Sequence, residues 1–398
     1  MEIENLQFAS RFDGITGSAI REIFKLLAKP GMISFAGGNP ANTALREDVV
    51  KALAVEALET NGKAILQYGA TEGYPPFLES LIEYLKSAVG LKVQKENLLP
   101  VTGSTQAMDL LCKALINPGD VILVEDPTFL GNMQCMRLYQ AKLVPVKSDE
   151  NGIILEELEK AVKEHRPKML YIIPTFQNPT GKTLCLERRK PIAEIAAKYG
   201  FIVAEDDPYR ALRYHGEDLP SIKSYDEKGF VAFLGSFSKI ISPGMRVGFI
   251  AANPQLIRKC TIGKQSSDLH TASLNQAIVD LYLRKNLLPE HIKTICESYK
   301  AQLNAMLDEL KAFPKGTAYT KPEGGLFIFV TLPEGIDAPK LLTRCVERNV
   351  AFVPGTYFYA NGGHLNTLRL NFSNSPIDKI HAGMKILNQT INDVLEEK

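Results

Sequence analysis

The sequence predicts an α/β protein with a mostly parallel, doubly wound sheet covered by helices on both faces, together with a smaller α+β domain. Near-continuous apolar runs such as residues 121–124 and 169–173 are typical of parallel strands buried on both faces. Helical patterns such as residues 154–164 separate these runs, as expected when crossover helices join parallel strands. After residue 288 the pattern changes to short alternating strands and amphipathic helices, which indicates the second domain.

The composition excludes several classes of function. The 398 residues are enough for two domains, and 46 Lys and Arg residues balance 45 Asp and Glu residues. This balance leaves no basic excess for nucleic acid, and no apolar run reaches membrane-spanning length. The histidines show no metal-ligand spacing, so we expect no metal. The six cysteines form no CxxC pair and no signal peptide is visible, so we expect a cytoplasmic protein with free thiols.

The first elements of the chain are expected to be an irregular arm over residues 1–16 and a helix over residues 18–27. Gly37 and Gly38 then allow the backbone to come close to another group, although an ordinary turn is the simpler explanation. The next predicted elements are strands over residues 32–35 and 97–102 and helices over residues 48–60, 76–89 and 107–116.

Gly103 and two hydroxyl residues, Ser104 and Thr105, precede the last of these helices. The first N–H groups of a helix point outward, and the helix dipole favours negative charge there, so this segment could bind an anion. Plain N-capping by Ser104 explains the same residues, and both interpretations stay open at this point.

Polar segments follow four of the predicted strands, at the point where each strand ends. In parallel sheets, ligands bind beyond the carboxyl ends of the strands. One such segment could be a capped loop, but four on one edge indicate a ligand site. The strands are predicted over residues 121–124, 142–146, 169–173, 201–204, 231–234 and 247–251, and the polar segments over residues 125–129, 174–181, 205–209 and 235–246.

In the last polar segment, Ser236 and Ser238 offer hydroxyls, Lys239 an amine and Arg246 a guanidinium. Ser and Arg suit a phosphate, because both donate hydrogen bonds and Arg adds charge. A lysine that is partly desolvated beside a phosphate can lose its proton and form a Schiff base. A phosphate anchor beside such a lysine is what pyridoxal phosphate requires, whereas the alternative is a surface loop with a solvated Lys and Arg.

We expect the chain to divide into an N-terminal arm over residues 1–16, a large cofactor-binding domain over residues 46–288, and a small domain. The small domain would combine residues 17–45 with residues 289–398. No Gly/Ser linker or internal repeat is visible, so the domains are expected to pack closely. The predicted elements of the small domain are helices over residues 291–310, 338–348 and 376–396 and strands over residues 325–331, 351–353 and 367–372.

Together, these motifs resemble those of the fold type I pyridoxal-phosphate enzymes of the class I/II aminotransferase group. Within that group, the chain is most similar to the α-aminoadipate and kynurenine aminotransferase-like subgroup. The motifs follow the family's order and cover almost the whole chain. They are ISFAGGNP (33–40), LQYGATEGYPP (66–76), TGSTQ (102–106), DPTFLG (126–131), QNPTG (177–181), EDDPY (205–209), SFSKIISPGMR (236–246), PEGGLF (322–327) and TLRLNFS (367–373).

The resemblance implies a catalytic role for Lys239, Asp206 and Tyr209. Lys239 would form the Schiff base with pyridoxal phosphate, and its freed amine would later carry a proton between the substrate and the cofactor. Asp206 would pair with the pyridine nitrogen, while Tyr209 and Asn178 would hydrogen-bond the phenolic oxygen of the ring. A surface or helix-capping Asp is the competing explanation for Asp206, and its position at the end of an apolar strand argues against it.

The resemblance also implies how the cofactor's ring and phosphate are held. Phe129 would stack on the ring where many relatives carry Tyr, with an ordinary core aromatic as the alternative. Tyr68 would reach the phosphate of the neighbouring subunit, which implies a homodimer with composite active sites. Thr105 replaces a Gln that is common in relatives, so we expect its backbone N–H to make the contact. The residues expected at the phosphate are Gly103, Ser104, Thr105, Ser236, Ser238 and Arg246.

Four residues are expected at the substrate. Arg369 would bind the α-carboxylate with its planar fork, with an exposed strand-end Arg as the alternative. Asn178 would touch the same carboxylate, and Gly38 would allow the substrate to come close. Arg21 matches a position that can meet an acidic side chain in relatives, although an exposed helical Arg is the usual case. The N-terminal segment that carries Arg21 could close over the substrate.

The resemblance predicts a pyridoxal-phosphate-dependent aminotransferase. It would move the amino group of an L-amino acid to a 2-oxo acid such as 2-oxoglutarate, by a ping-pong mechanism through pyridoxamine phosphate. Aminoadipate, aromatic and branched-chain donors stay open, because a hydrophobic pocket discriminates by only roughly 1–3 kcal/mol per methylene.

Two alternative functions are compared with this prediction: another reaction with the same cofactor, and a regulator that is not an enzyme. A β-lyase or another fold type I enzyme would use the same cofactor; Arg369 argues against decarboxylation but not against a lyase. A regulator that senses the cofactor would carry a DNA-binding domain before this fold. We expect none here, because ISFAGGNP already begins at residue 33.

Overall fold

The computed structural model describes residues 6–15 and 31–397. The predicted arm is described from residue 6 onwards, with a short 3-10 helix at Ser10–Phe12. The predicted helix over residues 18–27, including Arg21, lies outside the described residues.

The strands of the described part form sheets of eight, four and two strands. Most of them lie where apolar runs predict them. In chain order they are β1 (Ile33–Ser34), β2 (Leu98–Val101), β3 (Val121–Asp126), β4 (Lys142–Asp149), β5 (Gly152–Ile153), β6 (Met169–Ile172), β7 (Ile202–Asp206), β8 (Val231–Ser236), β9 (Gly248–Ala251), β10 (Ala318–Tyr319), β11 (Phe327–Thr331), β12 (Val350–Ala351), β13 (Val353–Pro354) and β14 (Thr367–Asn371).

The eight-stranded sheet has the order β2-β9-β8-β7-β6-β3-β4-β5. The central neighbours from β8 through β7, β6 and β3 to β4 all pair in parallel. In contrast, β9 runs antiparallel to β2 and β8, and β5 runs antiparallel to β4. The predicted mostly parallel sheet is therefore confirmed, with antiparallel strands at its two sides.

Helices lie between most of the strands, as the 3.6-residue periodicity predicts. Three helices, over residues 130–138, 254–265 and 273–284, are not predicted by the sequence patterns. In chain order the helices are α1 (Glu47–Ile65), α2 (Pro75–Tyr84), α3 (Ser104–Leu115), α4 (Leu130–Leu138), α5 (Leu155–His165), α6 (Leu186–Tyr199), α7 (Pro254–Gln265), α8 (Ser273–Arg284), α9 (Leu288–Leu310), α10 (Ala338–Glu347) and α11 (Ile377–Glu396).

Two helices differ from their predictions, and the start of the second one matters for the site. The helix predicted over residues 76–89 begins at Pro75 as α2 and continues into a π-helical turn at Leu85–Val89. The helix predicted from residue 107 begins at Ser104, so Gly103 is the N-cap and Ser104 is the first helical residue. N-capping by the Ser104 side chain is therefore wrong, and the N-terminal turn of α3 includes the residues expected at the phosphate.

Helices cover both faces of the large sheet. Ile122 and Val124 of β3 face one hydrophobic cluster and Leu123 faces the other, as the alternation of a pleated strand requires. Leu158 of α5 packs in the second cluster, whereas Met108 of α3 packs in the first. The doubly wound architecture is thus confirmed.

The four-stranded sheet has the order β10-β11-β14-β13, and β1 pairs in parallel with β12. The β1–β12 pair joins residues 33–34 of the N-terminal segment to residues 350–351 of the C-terminal part. The composition of the small domain stays a prediction. The boundaries at residues 46 and 288 stay predictions. Within the described ranges, none of the helices is long and apolar enough to cross a membrane.

Candidate active site

The polar segments after β3, β6, β7 and β8 meet at one edge of the large sheet. These strands are parallel neighbours, so their carboxyl ends point the same way. Lys239 follows β8, Asp206 ends β7 and Asn178 follows β6. Arg369 comes from β14 of the four-stranded sheet and hydrogen-bonds Asn178. The candidate site therefore lies where the two sheets approach each other.

Lys239 lies in the turn after β8, and its Nζ donates a hydrogen bond of 2.8 Å to the carbonyl oxygen of Gly38. Burial, and then the charges of Arg369 and Arg246, lower the pKa of Lys239 to about 8, while Asp206 opposes the shift. Part of the amine is therefore neutral near neutral pH, which is the form that attacks a carbonyl carbon. These contacts argue against the surface-loop alternative.

Asp206 is 3 % exposed and lies at the end of a strand, so the surface and helix-capping explanations are wrong. Its Oδ2 accepts hydrogen bonds from the Tyr171 hydroxyl at 2.9 Å and from Asn132 Nδ2 at 3.2 Å. Burial raises the pKa of Asp206 to about 7, although the bond from Tyr171 opposes this. Its Oδ1 has no hydrogen-bond partner among the described residues. This free oxygen fits a protonated ring nitrogen, whose charge would offset the cost of burial.

Sequence reasoning missed Tyr171 and Asn132. Tyr171 lies in the fully buried strand β6, where a phenolic hydroxyl requires a hydrogen-bond partner, and this requirement was a usable signal. Asn132 is a buried polar residue of α4, a helix that the sequence patterns do not predict. Both residues orient the carboxylate of Asp206 and leave its other oxygen available.

Asn178 links two parts of the candidate site. Its Nδ2 donates to the Tyr209 hydroxyl at 3.4 Å, and its Oδ1 accepts a hydrogen bond of 2.8 Å from Arg369 Nη1. Burial raises the pKa of Tyr209, so its hydroxyl stays protonated and can donate. One amide therefore connects the residue expected at the phenolic oxygen with the residue expected at the substrate carboxylate.

Arg369 is 2 % exposed and lies in the middle of β14, so the exposed strand-end alternative is wrong. Its Nη2 donates to the carbonyl oxygen of Ala36 at 2.6 Å, and its Cζ lies 4.2 Å from the Phe327 ring and 4.9 Å from the Phe358 ring. Burial lowers the pKa of Arg369 to about 10. Its Nε has no hydrogen-bond partner in the described part of the chain. A buried guanidinium in these surroundings strongly favours an anionic ligand.

The start of α3 lies directly beside Arg246. Gly103 has a φ of 81°, which favours glycine, and a Cβ at this position would overlap the Arg246 guanidinium. The first N–H groups of a helix have no intrahelical partners, and those of Ser104 and Thr105 belong to this group. The N–H groups and the guanidinium thus meet at one point, as an anion site requires.

The hydroxyls of Ser236, the last residue of β8, and of Ser238, just after it, lie at the same place. Arg246 Nη1 donates to Ser238 Oγ at 3.4 Å, and Arg246 Nη2 donates to the Thr102 carbonyl oxygen at 3.4 Å. The backbone N–H of Ser238 donates to Ser236 Oγ at 3.2 Å. The structure therefore brings together all the residues expected at the phosphate within one chain.

The remaining expected residues have different outcomes. Phe129 directly precedes α4, and stacking on a ring stays a prediction for it. A Cβ at Gly38 would lie 3.1 Å from Phe327 Cζ, so glycine permits this close packing, while the backbone carbonyl oxygen of Gly38 accepts the hydrogen bond from Lys239. Tyr68 is 81 % exposed and packs edge-on against His270, with ring centroids 6.3 Å apart. Such an exposed side chain contributes little to a buried site of its own chain.

Two further expectations concern Arg21 and metals. Arg21 lies outside the described residues, so its role stays a prediction. Over residues 6–15 and 31–397, no cluster of His, Cys, Asp and Glu side chains could hold a metal ion.

A family model described as aminotransferase class I and II matches residues 30–387. The aromatic-amino-acid aminotransferase 1 of Thermococcus litoralis is 42% identical over 396 residues, which cover 98% of this chain and 95% of that protein.

Solved structures of high similarity cover nearly the whole chain. The kynurenine aminotransferase of Pyrococcus horikoshii, solved in complex with PMP, has a TM-score of 0.93 and 40% identity, and the match covers 98% of this chain and 97% of that chain. The α-aminoadipate aminotransferase of Thermus thermophilus, solved with N-(5'-phosphopyridoxyl)-L-leucine, has a TM-score of 0.91 and 37% identity, and the match covers 98% of each chain.

Proposed function

This chain belongs to the class I and II aminotransferases, and from that premise we propose which of its residues carry the reaction. It is a pyridoxal-phosphate-dependent enzyme that exchanges the α-amino group of an amino acid for the keto oxygen of a 2-oxo acid. One observation carries the proposal: three charged groups converge on one site. They are the Lys239 amine, the Asp206 carboxylate, one oxygen of which has no hydrogen-bond partner among the described residues, and the buried Arg369 guanidinium.

We propose that Asp206 holds the cofactor's pyridine nitrogen through its free Oδ1, while Tyr209 and Asn178 donate hydrogen bonds to the phenolic oxygen. When bound, pyridoxal phosphate supplies an electrophilic carbon and a ring that accepts electrons from the substrate's α-carbon. Phe129 would cover one face of the ring. The phosphate would be held by Gly103, Ser104, Thr105, Ser236, Ser238 and Arg246.

Lys239 is the proposed point of covalent attachment and the proton carrier. Its pKa, lowered to about 8 by burial and by the charges of Arg369 and Arg246, keeps part of the amine neutral. A neutral Nζ can accept a proton from the substrate's α-carbon and return it to a neighbouring carbon. The hydrogen bond to the Gly38 carbonyl oxygen holds Nζ in the site until it reacts.

Arg369 is the proposed carboxylate anchor for both the amino acid and the 2-oxo acid. Its planar fork can bind a carboxylate through two parallel hydrogen bonds, and Asn178 can join the contact. The rings of Phe327 and Phe358 keep the guanidinium in place and exclude water. Gly38 leaves room for the substrate, and Arg21 is the proposed contact for an acidic side chain.

The proposed amino donors are L-amino acids of the aromatic, aminoadipate or branched-chain type, with 2-oxoglutarate as acceptor. Support comes from the relatives, whose names include an aromatic-amino-acid, a kynurenine and an α-aminoadipate aminotransferase. The last of these was solved with a phosphopyridoxyl derivative of leucine.

We also propose a homodimer with composite active sites. Leu66 is 73 % exposed, Tyr68 is 81 % exposed and Leu269 is 41 % exposed, and the contact between Tyr68 and His270 brings these residues together. Exposed apolar groups of this size mark interaction surfaces. A second copy of the chain would cover them and would bring Tyr68 to the phosphate of its neighbour.

The proposed location is the cytoplasm. All six cysteines are free thiols, which fits a reducing compartment.

The experiment that tests the proposed reaction is a visible spectrum of the holoenzyme during addition of single L-amino acids without a 2-oxo acid. We expect stoichiometric conversion to the pyridoxamine form, and its reversal by 2-oxoglutarate. A β-lyase would instead consume the donor continuously and keep its spectrum. A Lys239→Ala variant should show no conversion. A spectrum that no donor changes would contradict the proposed donor types.

A further inference from the structure

A buried lysine outside the candidate site, Lys264, lies against the start of α3. Lys264 belongs to α7 and is completely buried. Its Nζ donates to Gln106 Oε1 at 2.6 Å and to the two carboxylate oxygens of Asp268 at 2.8 and 2.9 Å. An ammonium group has three donors, so these contacts use all of them.

Both acceptors of Lys264 also hold Thr102, the residue before Gly103. Gln106 Oε1 accepts the backbone N–H of Thr102 at 2.8 Å. Asp268 Oδ2 accepts the Thr102 hydroxyl at 2.8 Å and Gln106 Nε2 at 2.7 Å. The backbone and the side chain of Thr102 are therefore both fixed by groups that Lys264 orients.

Thr102 in turn determines where the anion-binding groups point. Its carbonyl oxygen accepts a hydrogen bond from Arg246 Nη2 at 3.4 Å. It is followed directly by Gly103, the N-cap of α3. A shift of Thr102 would consequently move the start of α3 and the carbonyl oxygen that holds the Arg246 guanidinium.

From these contacts we propose that Lys264 is a positioning residue for the cofactor's phosphate. Together with Asp268 and Gln106, it fixes Thr102, so that the N–H groups of α3 and the Arg246 guanidinium are aligned before the cofactor arrives. Groups that are already ordered cost no conformational entropy on binding. This inference rests on the proposed placement of the phosphate at the start of α3.

A purely structural role for Lys264 makes a different prediction. Loss of a buried ion pair would then lower stability and weaken every ligand equally. The matched control is Lys113 of α3, whose Nζ donates a hydrogen bond of 2.5 Å to Ser267 Oγ, two residues after the end of α7. Among the described contacts of that pair, none involves Thr102, so Lys113→Met should not affect the phosphate site.

The test compares the affinities of the apoprotein for pyridoxal phosphate and for pyridoxal, which lacks the phosphate. For Lys264→Met, we expect the Kd of pyridoxal phosphate to rise by roughly tenfold or more, because charge-assisted hydrogen bonds to the phosphate lose their alignment. The Kd of pyridoxal should stay nearly unchanged. Lys113→Met should leave both constants at the wild-type values.

Two milder variants keep the test decisive if Lys264→Met fails to fold. Thr102→Val removes the hydroxyl bonded to Asp268 and should produce the same selective loss, whereas Thr102→Ser keeps the hydroxyl and should restore affinity. Equal rises in both constants, or unchanged binding of pyridoxal phosphate in Lys264→Met and Thr102→Val, would overturn the proposal. A wild-type protein that binds both ligands equally tightly would overturn the phosphate placement itself, which is a distinguishable result.

Discussion

Two buried charges, Asp206 and Arg369, each have an atom without a hydrogen-bond partner in the described part of the chain. A buried charge with an unpaired polar atom costs free energy. A ligand that forms a hydrogen bond with that atom offsets this cost, which explains why a folded protein keeps such a charge in a binding site. The ligands required are opposite in kind: a protonated nitrogen for the carboxylate and an anion for the guanidinium. An amino acid held beside a pyridinium ring meets both requirements.

Replacement of Arg369 by lysine tests the carboxylate anchor. The variant keeps the positive charge but loses the planar fork, so we expect kcat/KM for L-amino acids to fall by roughly 10- to 100-fold. Steady-state kinetics with one amino donor measures this loss. Arg348→Lys is the control, because Arg348 is an exposed residue at the end of α10 and pairs with Asp393 at 2.6 Å. Unchanged kinetics in Arg369→Lys would contradict the anchor role.

The lowered pKa of Lys239 predicts how the apoprotein takes up its cofactor. The neutral amine attacks the aldehyde, and its fraction grows with pH until pH passes the pKa. The rate constant for attachment should therefore rise towards pH 8 and level off above about 8, rather than continue to the usual lysine value. Stopped-flow absorbance over a pH series measures it. In Arg369→Leu the midpoint of the pH–rate profile should move to higher pH, because removal of a neighbouring positive charge raises the pKa of Lys239. A rate that rises steadily to pH 10 in the wild type would contradict the account.

At the scale of elements, the site depends on where strands end and where α3 begins. Four of the parallel strands of the large sheet, β3, β6, β7 and β8, each deliver one polar segment to the same edge, and α3 starts at that edge. The N-cap at Gly103 lies so close to Arg246 that a side chain does not fit between them. The start of this helix is therefore shaped for a ligand.

Replacement of Gly103 by alanine tests this shape. The new Cβ would overlap the Arg246 guanidinium, so we expect the Kd of pyridoxal phosphate to rise by at least about tenfold. Gly119→Ala is the matched control, because Gly119 has a φ of 87° and no atom of the described residues lies within 4 Å of its Cβ position. Both variants place a side chain at a positive φ and should each lose stability through backbone strain, roughly 1–3 kcal/mol. Equal cofactor affinity in the two variants would show that the contact is unimportant.

Sequence reasoning predicted the elements and residues whose signal is local. Lys239 and Asp206 were predictable because each follows an apolar run that ends in polar residues. The bond from Lys239 to Gly38 joins positions 201 residues apart, and no local pattern indicates it. Lys264 was missed for another reason: its burial depends on how α7 packs against α3, and the polar composition of α7 hides its helical periodicity.

At the scale of the molecule, the reactive groups come from distant parts of the chain. Arg369 of β14 and Asn178 of the loop after β6 are 191 residues apart in sequence, yet they share a hydrogen bond of 2.8 Å. Residues 36–38 add carbonyl oxygens that hold both Arg369 and Lys239. The site thus requires the whole fold, and its proposed completion by Tyr68 requires a second copy.

Mixing two inactive variants tests the composite site. Lys239→Ala lacks the amine, and Tyr68→Ala lacks the side chain that we place in the neighbouring site. A heterodimer of the two would contain one site with both residues intact, because each chain gives one residue to its own site and one to its partner's. We expect the mixture, after subunit exchange, to recover aminotransferase activity that exceeds the sum of the separate variants. No recovery in a mixture shown by mass photometry to be dimeric would contradict the composite arrangement.

The central claim is that Lys239 is the residue joined to the cofactor, and it can be tested directly. Borohydride reduction of the holoenzyme would make that attachment permanent, and peptide mass spectrometry would then locate it. We predict a phosphopyridoxyl group on the peptide that carries Lys239, and its loss in Lys239→Ala. A phosphopyridoxyl group on any other lysine, Lys264 included, would contradict the account.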